Sequence, residues 1–281
     1  VEEYNIEWKV VMMKHTLRLT LSVLLVALLA IPASAAVVNT WSYTYDAGFV
    51  ELNIPSGDFG LATYGANSIT IEDGTAVDSY TQAWWGSSNP YQLATPRSGI
   101  VLGSPVSGQI DTNSAAGAAA MTMTHYNRPI YGSSLTSGTV LAALELTALD
   151  PVNALTKVLA TTLSFNFYET SNTGNLQSDV FILQNPEVGS GIFEYDGETY
   201  TLDFTGSFQR ISDAYVSLLN LNPDVEYYGW TTSESAVTAI NTSFTITHVP
   251  TPTPEPATFV LLALGLGMIG LHTYRRQRNA A

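Results

Sequence analysis

The sequence predicts an all-β domain, an antiparallel sandwich of jelly-roll type, flanked by an N-terminal signal helix and a C-terminal transmembrane helix. Three observations carry this expectation. Apolar and polar residues alternate with period two through the middle of the chain. Two uncharged apolar runs stand near its ends. Hydrophobic residues make up 46% of the 281, enough for a packed core.

The elements divide the chain at residues 1–12, 13–35, 36–249, 250–256 and 257–281. Residues 1–12 carry Glu2, Glu3 and Glu7, which suit neither a signal segment nor the domain, and read as a non-native extension. From Met13, the basic Lys14, His15 and Arg18 precede the apolar run Leu19–Ile31. Pro32 breaks that run, and small residues follow through Ala33, Ala35 and Ala36. This order reads as a secretory signal peptide cut by signal peptidase after Ala35, because the run falls short of the roughly 20 residues of a span.

Strands follow from alternation. Val140, Ala142, Leu144 and Leu146 share one face of a segment whose other face holds Thr139, Glu145 and Thr147. Leu141 and Ala143 blur that pattern. Leu159, Leu163, Phe165 and Phe167 share a face and are expected in the core, where Leu163→Ala would cost roughly 2–5 kcal/mol. Tyr200, Leu202 and Phe204 alternate with threonine and aspartate, as do Phe244 and Ile246 with serine and threonine. Asp196-Gly197 accepts the positive φ of a type I′ turn and predicts a hairpin. Ala115–Ala120 is too short for a stable helix.

At the C-terminal end, Thr251-Pro252-Thr253-Pro254 is an extended spacer, because proline fixes φ and removes a donor. Pro254-Glu255-Pro256 follows, then the apolar run Ala257–Leu271, then Arg275, Arg276 and Arg278. The arginines form a basic stop that stays cytoplasmic. This tripartite tail resembles the PEP-CTERM sorting signal of Gram-negative bacteria. The resemblance implies recognition and cleavage by exosortase, from a precursor tethered in the cytoplasmic membrane, with the product at the cell surface or outside the cell.

The domain's own chemistry is sparse. Residues 36–254 hold four basic residues against twenty acidic ones, a net charge of −16. That balance excludes nucleic acid as a partner, since phosphate contacts need lysine and arginine. With no cysteine, disulfide scaffolds and thiolate zinc sites are excluded. Only His125 and His248 are available there, and no HExxH or G-x-S-x-G spacing occurs, so no catalytic residue is assigned. His248 reads as a solvated terminal histidine. No cofactor is predicted. A two-histidine-plus-carboxylate metal site is possible by count alone, and calcium is the other candidate ion, with oxygens in Glu72, Asp73 and Asp78 and in Glu194, Asp196 and Glu198.

The sharpest local pattern is Met121-Thr122-Met123-Thr124-His125-Tyr126-Asn127-Arg128-Pro129. It reads as a strand running into a turn, whose Thr, His and Asn satisfy exposed backbone groups; a ligand or calcium pocket is the functional alternative. Thr124-His125-Tyr126-Asn127 resembles the naming motif of the THxN family of PEP-CTERM proteins. Phe165-Asn166-Phe167-Tyr168-Glu169-Thr170, then Asn172, and Asp196–Leu202 extend the resemblance over roughly residues 80–248. Arg128 and Trp84 stand where that family often carries Asn and Arg. Thr124, His125, Asn127, Glu169 and Asn172 thus form a family motif of unassigned role. The resemblance implies a secreted β-domain handled by exosortase in bacteria that make exopolysaccharide, and no established activity. The leading reading is a non-enzymatic surface or extracellular-matrix protein, biofilm-associated, with exopolysaccharide as a partner. The alternative is an extracellular glycan-binding module using Trp84, Trp85, Tyr91 and Tyr126; a secreted hydrolase using His125 ranks lower.

Overall fold

The computed structural model describes residues 36–55, 60–87, 97–171, 176–185, 190–250 and 265–267. Ala33, Ala35, Tyr91, Asn172, Pro254, Glu255, Pro256, Arg275, Arg276 and Arg278 lie outside them. One compact unit spans Ala36–Pro250; a second comprises Val1–Ala35 and Thr251–Ala281. Of the second unit only 265–267 are described, and they are helical. Among the described residues no helix is long and apolar enough to cross a membrane.

The first unit is all-β. Its strands are β1 (Thr40–Asn53), β2 (Ala62–Thr70), β3 (Ala76–Trp85), β4 (Ser98–Gly103), β5 (Val106–Asp111), β6 (Ala118–Tyr126) and β7 (Ser137–Asp150). They continue with β8 (Val152–Tyr168), β9 (Ser178–Leu183), β10 (Ser190–Tyr195), β11 (Glu198–Gly206), β12 (Gln209–Arg210), β13 (Tyr228–Ser233) and β14 (Val237–Val249). Every pairing is antiparallel, in the order β10-β11-β14-β6-β4-β3-β1-β7-β8-β9-β13-β12, with β2 on β3 and β5 on β1. The sheet curls as a half-barrel, so its two halves face each other in the manner of a sandwich.

Period two builds the interior. Trp41, Tyr43, Tyr45, Ala47 and Phe49 point inward from β1. Across the core, the Trp41 ring meets Tyr195 at 4.8 Å and Tyr200 at 5.2 Å, and Tyr43 meets Phe244 at 5.0 Å, all edge to face. Trp41 stands opposite Ala148, at one end of β7; Phe165 stands opposite Gly138, at the other. The interior thus has an aromatic cluster at each end. Residues 140–146 on β7 are almost wholly buried because both faces are covered. Leu141 and Ala143 pack with Ile69 of β2, which explains the blurred alternation.

Asp196 and Gly197, at φ 50° and 83°, turn between β10 and β11. Tyr195 pairs Glu198 there, as the Asp-Gly signal predicts. Phe165 and Phe167 are buried as expected. Leu159 and Leu163 are only half-buried, since they line clefts between β8 and β11, one of about 400 Å³. Truncation of Leu163 therefore removes less buried surface than its alternation implies. The short helix α1 (Asp213–Leu218) buries Val216 against Val180, Ile182 and Ile211.

Candidate functional site

The end of the sandwich holding Phe165 carries Thr124, His125, Asn127 and Glu169. On β6 the parity that turns Met121 and Met123 inward turns His125 inward too. His125 is 0% exposed, as is Asn127 just beyond the strand. Thr124 faces the other side and is half-buried. The expectation of an exposed strand exit is thus corrected: the turn begins only after the chain has placed His125 and Asn127 in the core. Asn127 still serves backbone groups, but buried ones. Its N–H donates to Ala236 O at 3.0 Å, and its side-chain amide donates to Thr232 O at 2.9 Å.

Rings wall the site. His125 stacks on Trp85 with centroids 6.0 Å apart and meets Phe181 at 4.7 Å and Phe167 at 5.6 Å. Phe181 in turn stacks on Trp230 at 4.1 Å.

Three acids lie among these rings. Asp179 on β9 is fully buried and directly opposite Thr232 on β13. Its Oδ1 accepts from Thr170 N at 3.1 Å, and its Oδ2 stands 3.8 Å from His125 Nε2. Glu169 accepts from the Ser134 hydroxyl at 3.0 Å, and the Trp85 indole N–H faces it without closing a full hydrogen bond. Glu234 accepts from Ser235 N at 3.1 Å. Glu169 and Glu234 are half-buried, each with one carboxylate oxygen covered.

Burial sets the electrostatics. It drives the His125 imidazole down to about 3, so the ring is neutral and makes no ion pair with Asp179. Burial, with the nearby Glu234 charge, raises Glu169; burial, with the Glu169 and Glu234 charges, raises Asp179. Burial also raises Glu234. Groups that hold protons more tightly when folded lose stability as pH rises above the ordinary carboxylate range near 4. His125 acts oppositely, and only below its ordinary value of about 6.5. In buffer free of divalent cations, the urea midpoint should therefore fall between about pH 6.5 and 8.5. Asp179→Asn should flatten that slope; a wild-type midpoint that rises or stays level would show that these acids are not desolvated.

The other candidate residues do not converge. Glu72, Asp73, Asp78, Glu194 and Asp196 are exposed, and the Asp73 carboxylate caps Thr75 N. His248 is not solvated as expected; its Nε2 contacts buried Glu198 Oε2 at 2.8 Å, beside Tyr200. That pair lies at the opposite end of β14 from Val237, which pairs Tyr126. Trp84 and Tyr126 are half-buried, tilted by 32° at 5.4 Å, rather than a coplanar exposed platform. Neither ring nitrogen of His125 has a hydrogen-bond partner among the described residues, so no serine is paired with it.

Sequence reasoning missed Asp179, Thr232 and Glu234. The local signal for the first was its parity with Phe181 and Leu183, which puts a carboxylate on a core-facing position.

Comparison with protein families places the PEP-CTERM protein-sorting motif on residues 252–278. No curated protein matches the chain. The motif supports an exported protein that is processed by exosortase.

Proposed function

We propose that this chain is a non-enzymatic surface protein of THxN type, exported, cut by exosortase and placed in an exopolysaccharide matrix at the cell surface. The observation that carries the reading is the sorting motif at 252–278. Its parts have separate duties. Pro254-Glu255-Pro256 is the segment that exosortase would recognise and cut. The apolar run Ala257–Leu271 holds the motif at membrane depth, and Arg275, Arg276 and Arg278 set the orientation. The domain's charge of −16 over residues 36–254 favours solubility and mutual repulsion outside the cell.

Replacing Pro254, Glu255 and Pro256 with alanine should leave export intact and stop maturation. The uncut precursor should accumulate in the cytoplasmic membrane fraction of an exosortase-containing host, as read by fractionation and intact-mass spectrometry. Maturation at the wild-type rate would show that the tail is a plain anchor. Loss of the mature protein from the matrix fraction on removal of exopolysaccharide synthesis tests the placement.

A further inference from the structure

We propose that the buried cluster around Asp179 is a calcium site, its ligands the side-chain oxygens of Asn127, Glu169, Thr170, Asp179, Thr232 and Glu234. The inference stands apart from the sorting reading and concerns the domain alone.

The first argument is where unpaired polar atoms fall. Buried polar groups in folded proteins nearly all find partners. Here the buried side-chain atoms without one among the described residues are ring nitrogens of Trp85, His125 and Trp230 and six oxygens around Asp179. They include Asn127 Oδ1, Glu169 Oε1, Thr170 Oγ1, Asp179 Oδ2, Thr232 Oγ1 and Glu234 Oε2. Asn127, Asp179 and Thr232 are 0% exposed, so bulk water does not serve them.

The second argument is charge. Three carboxylates gather here, and no ion pair joins any of them to lysine or arginine among the described residues. A buried charge without a partner is costly. A bound proton neutralises one carboxylate and donates in a single direction. A divalent cation takes several acceptors at once, neutral amide and hydroxyl oxygens included.

The ion class follows from the donors. Six oxygens match the 6–8 that Ca²⁺ takes in flexible geometry, whereas Mg²⁺ demands a tighter octahedron. Zinc and its neighbours would favour the imidazole. The His125 Nε2 instead faces Asp179 Oδ2, the position of an outer partner that orients a ligand carboxylate.

The frame is already built. Asp179 and Thr232 oppose each other on β9 and β13, Thr170 N holds the far oxygen of Asp179, and Asn127 is tied to the Thr232 carbonyl. The acids do not by themselves converge to metal-ligand geometry. Binding of an ion would therefore require the carboxylate side chains to turn toward it. Glu169 and Glu234 are half-buried, so they form the solvent-facing side of the cluster.

The test uses the full chain in detergent, stripped with chelator. Equilibrium dialysis against radioactive calcium should show one ion per chain, and the melting temperature should rise as the site fills. Asp179→Asn and Glu169→Gln keep shape and remove charge; each should weaken calcium binding at least about tenfold. Asp73→Asn, in an exposed loop, should leave it unchanged. In chelator, Asp179→Asn should melt no lower than wild type, which separates loss of binding from loss of fold. Wild type that takes up no calcium would overturn the proposal, as would binding unaltered in both cluster variants. Retention of zinc or manganese instead, abolished by His125→Gln, would overturn the calcium assignment. Melting that responds to pH but not to calcium would show a shared-proton network in its place.

Discussion

Phe181→Ala should destabilise the domain by about 3–5 kcal/mol, the range for removing a large aromatic from a packed interior. Phe181 is 0% exposed on β9 and is the common neighbour of the rings at its end of the sandwich. It stacks on Trp230 at 4.1 Å and meets Phe167 at 4.6 Å, His125 at 4.7 Å and Phe165 at 5.6 Å. Those neighbours come from β6, β8 and β13, so no single strand can close the hole by shifting. The fold at the site also rests on this ring, since it fills the space between the His125 imidazole and the Trp230 indole. Urea denaturation of the full chain measures the cost. Ile192→Ala, on β10 and 76% exposed, should change the midpoint little. A Phe181→Ala cost below about 1 kcal/mol would mean that the aromatic wall collapses without loss.

Local pattern made much of this interior legible. Phe165, Phe167, Tyr200, Leu202, Phe244 and Ile246 alternate as half-buried strands do, and they are where the alternation puts them. The Asp-Gly hairpin is a two-residue instruction, read without knowledge of the rest. Leu159 and Leu163 obey the same alternation, but the curl of the sheet leaves a cleft over them; parity gives a face, while curvature decides how well that face is covered. His125 shows the opposite failure. Its parity with Met121 and Met123 pointed inward, yet the Asn127-Arg128-Pro129 grammar that follows Tyr126 pointed to a solvent turn. Both hold, because the turn begins after the strand has buried its last side chain. The acids could not be assembled from sequence. Asp179 and Glu234 come from distant segments, joined by the pairing of β9 with β13, and that pairing is a property of topology rather than of either segment. The tail was the most legible part, because its sorting motif is one contiguous stretch of sequence, residues 252–278.

Gly229→Ala should bring the second large loss, and it connects the fold to the site. Gly229 on β13 pairs Ile182 on β9, and a Cβ there would lie 1.8 Å from the Phe181 carbonyl oxygen and 3.2 Å from the Ile182 Cα. These are backbone atoms of a paired strand, which cannot rotate aside as a side chain would. The two strands must separate locally, at a cost of about 1–3 kcal/mol, as for other overpacked interiors. The same ladder sets Trp230 against Phe181 and Thr232 against Asp179. Separation at Gly229 therefore loosens the ring stack and the opposition of Thr232 to Asp179 together. Gly191→Ala is the control, because a Cβ on β10 meets open space. Denaturation midpoints and amide exchange at Val180 and Thr232 should distinguish the two: faster exchange at both positions in Gly229→Ala, and none of it in Gly191→Ala. A Gly229→Ala chain that unfolds at the wild-type midpoint, with wild-type exchange, would mean that β13 does not lie on β9 in this register, and Thr232 would then no longer stand across from Asp179.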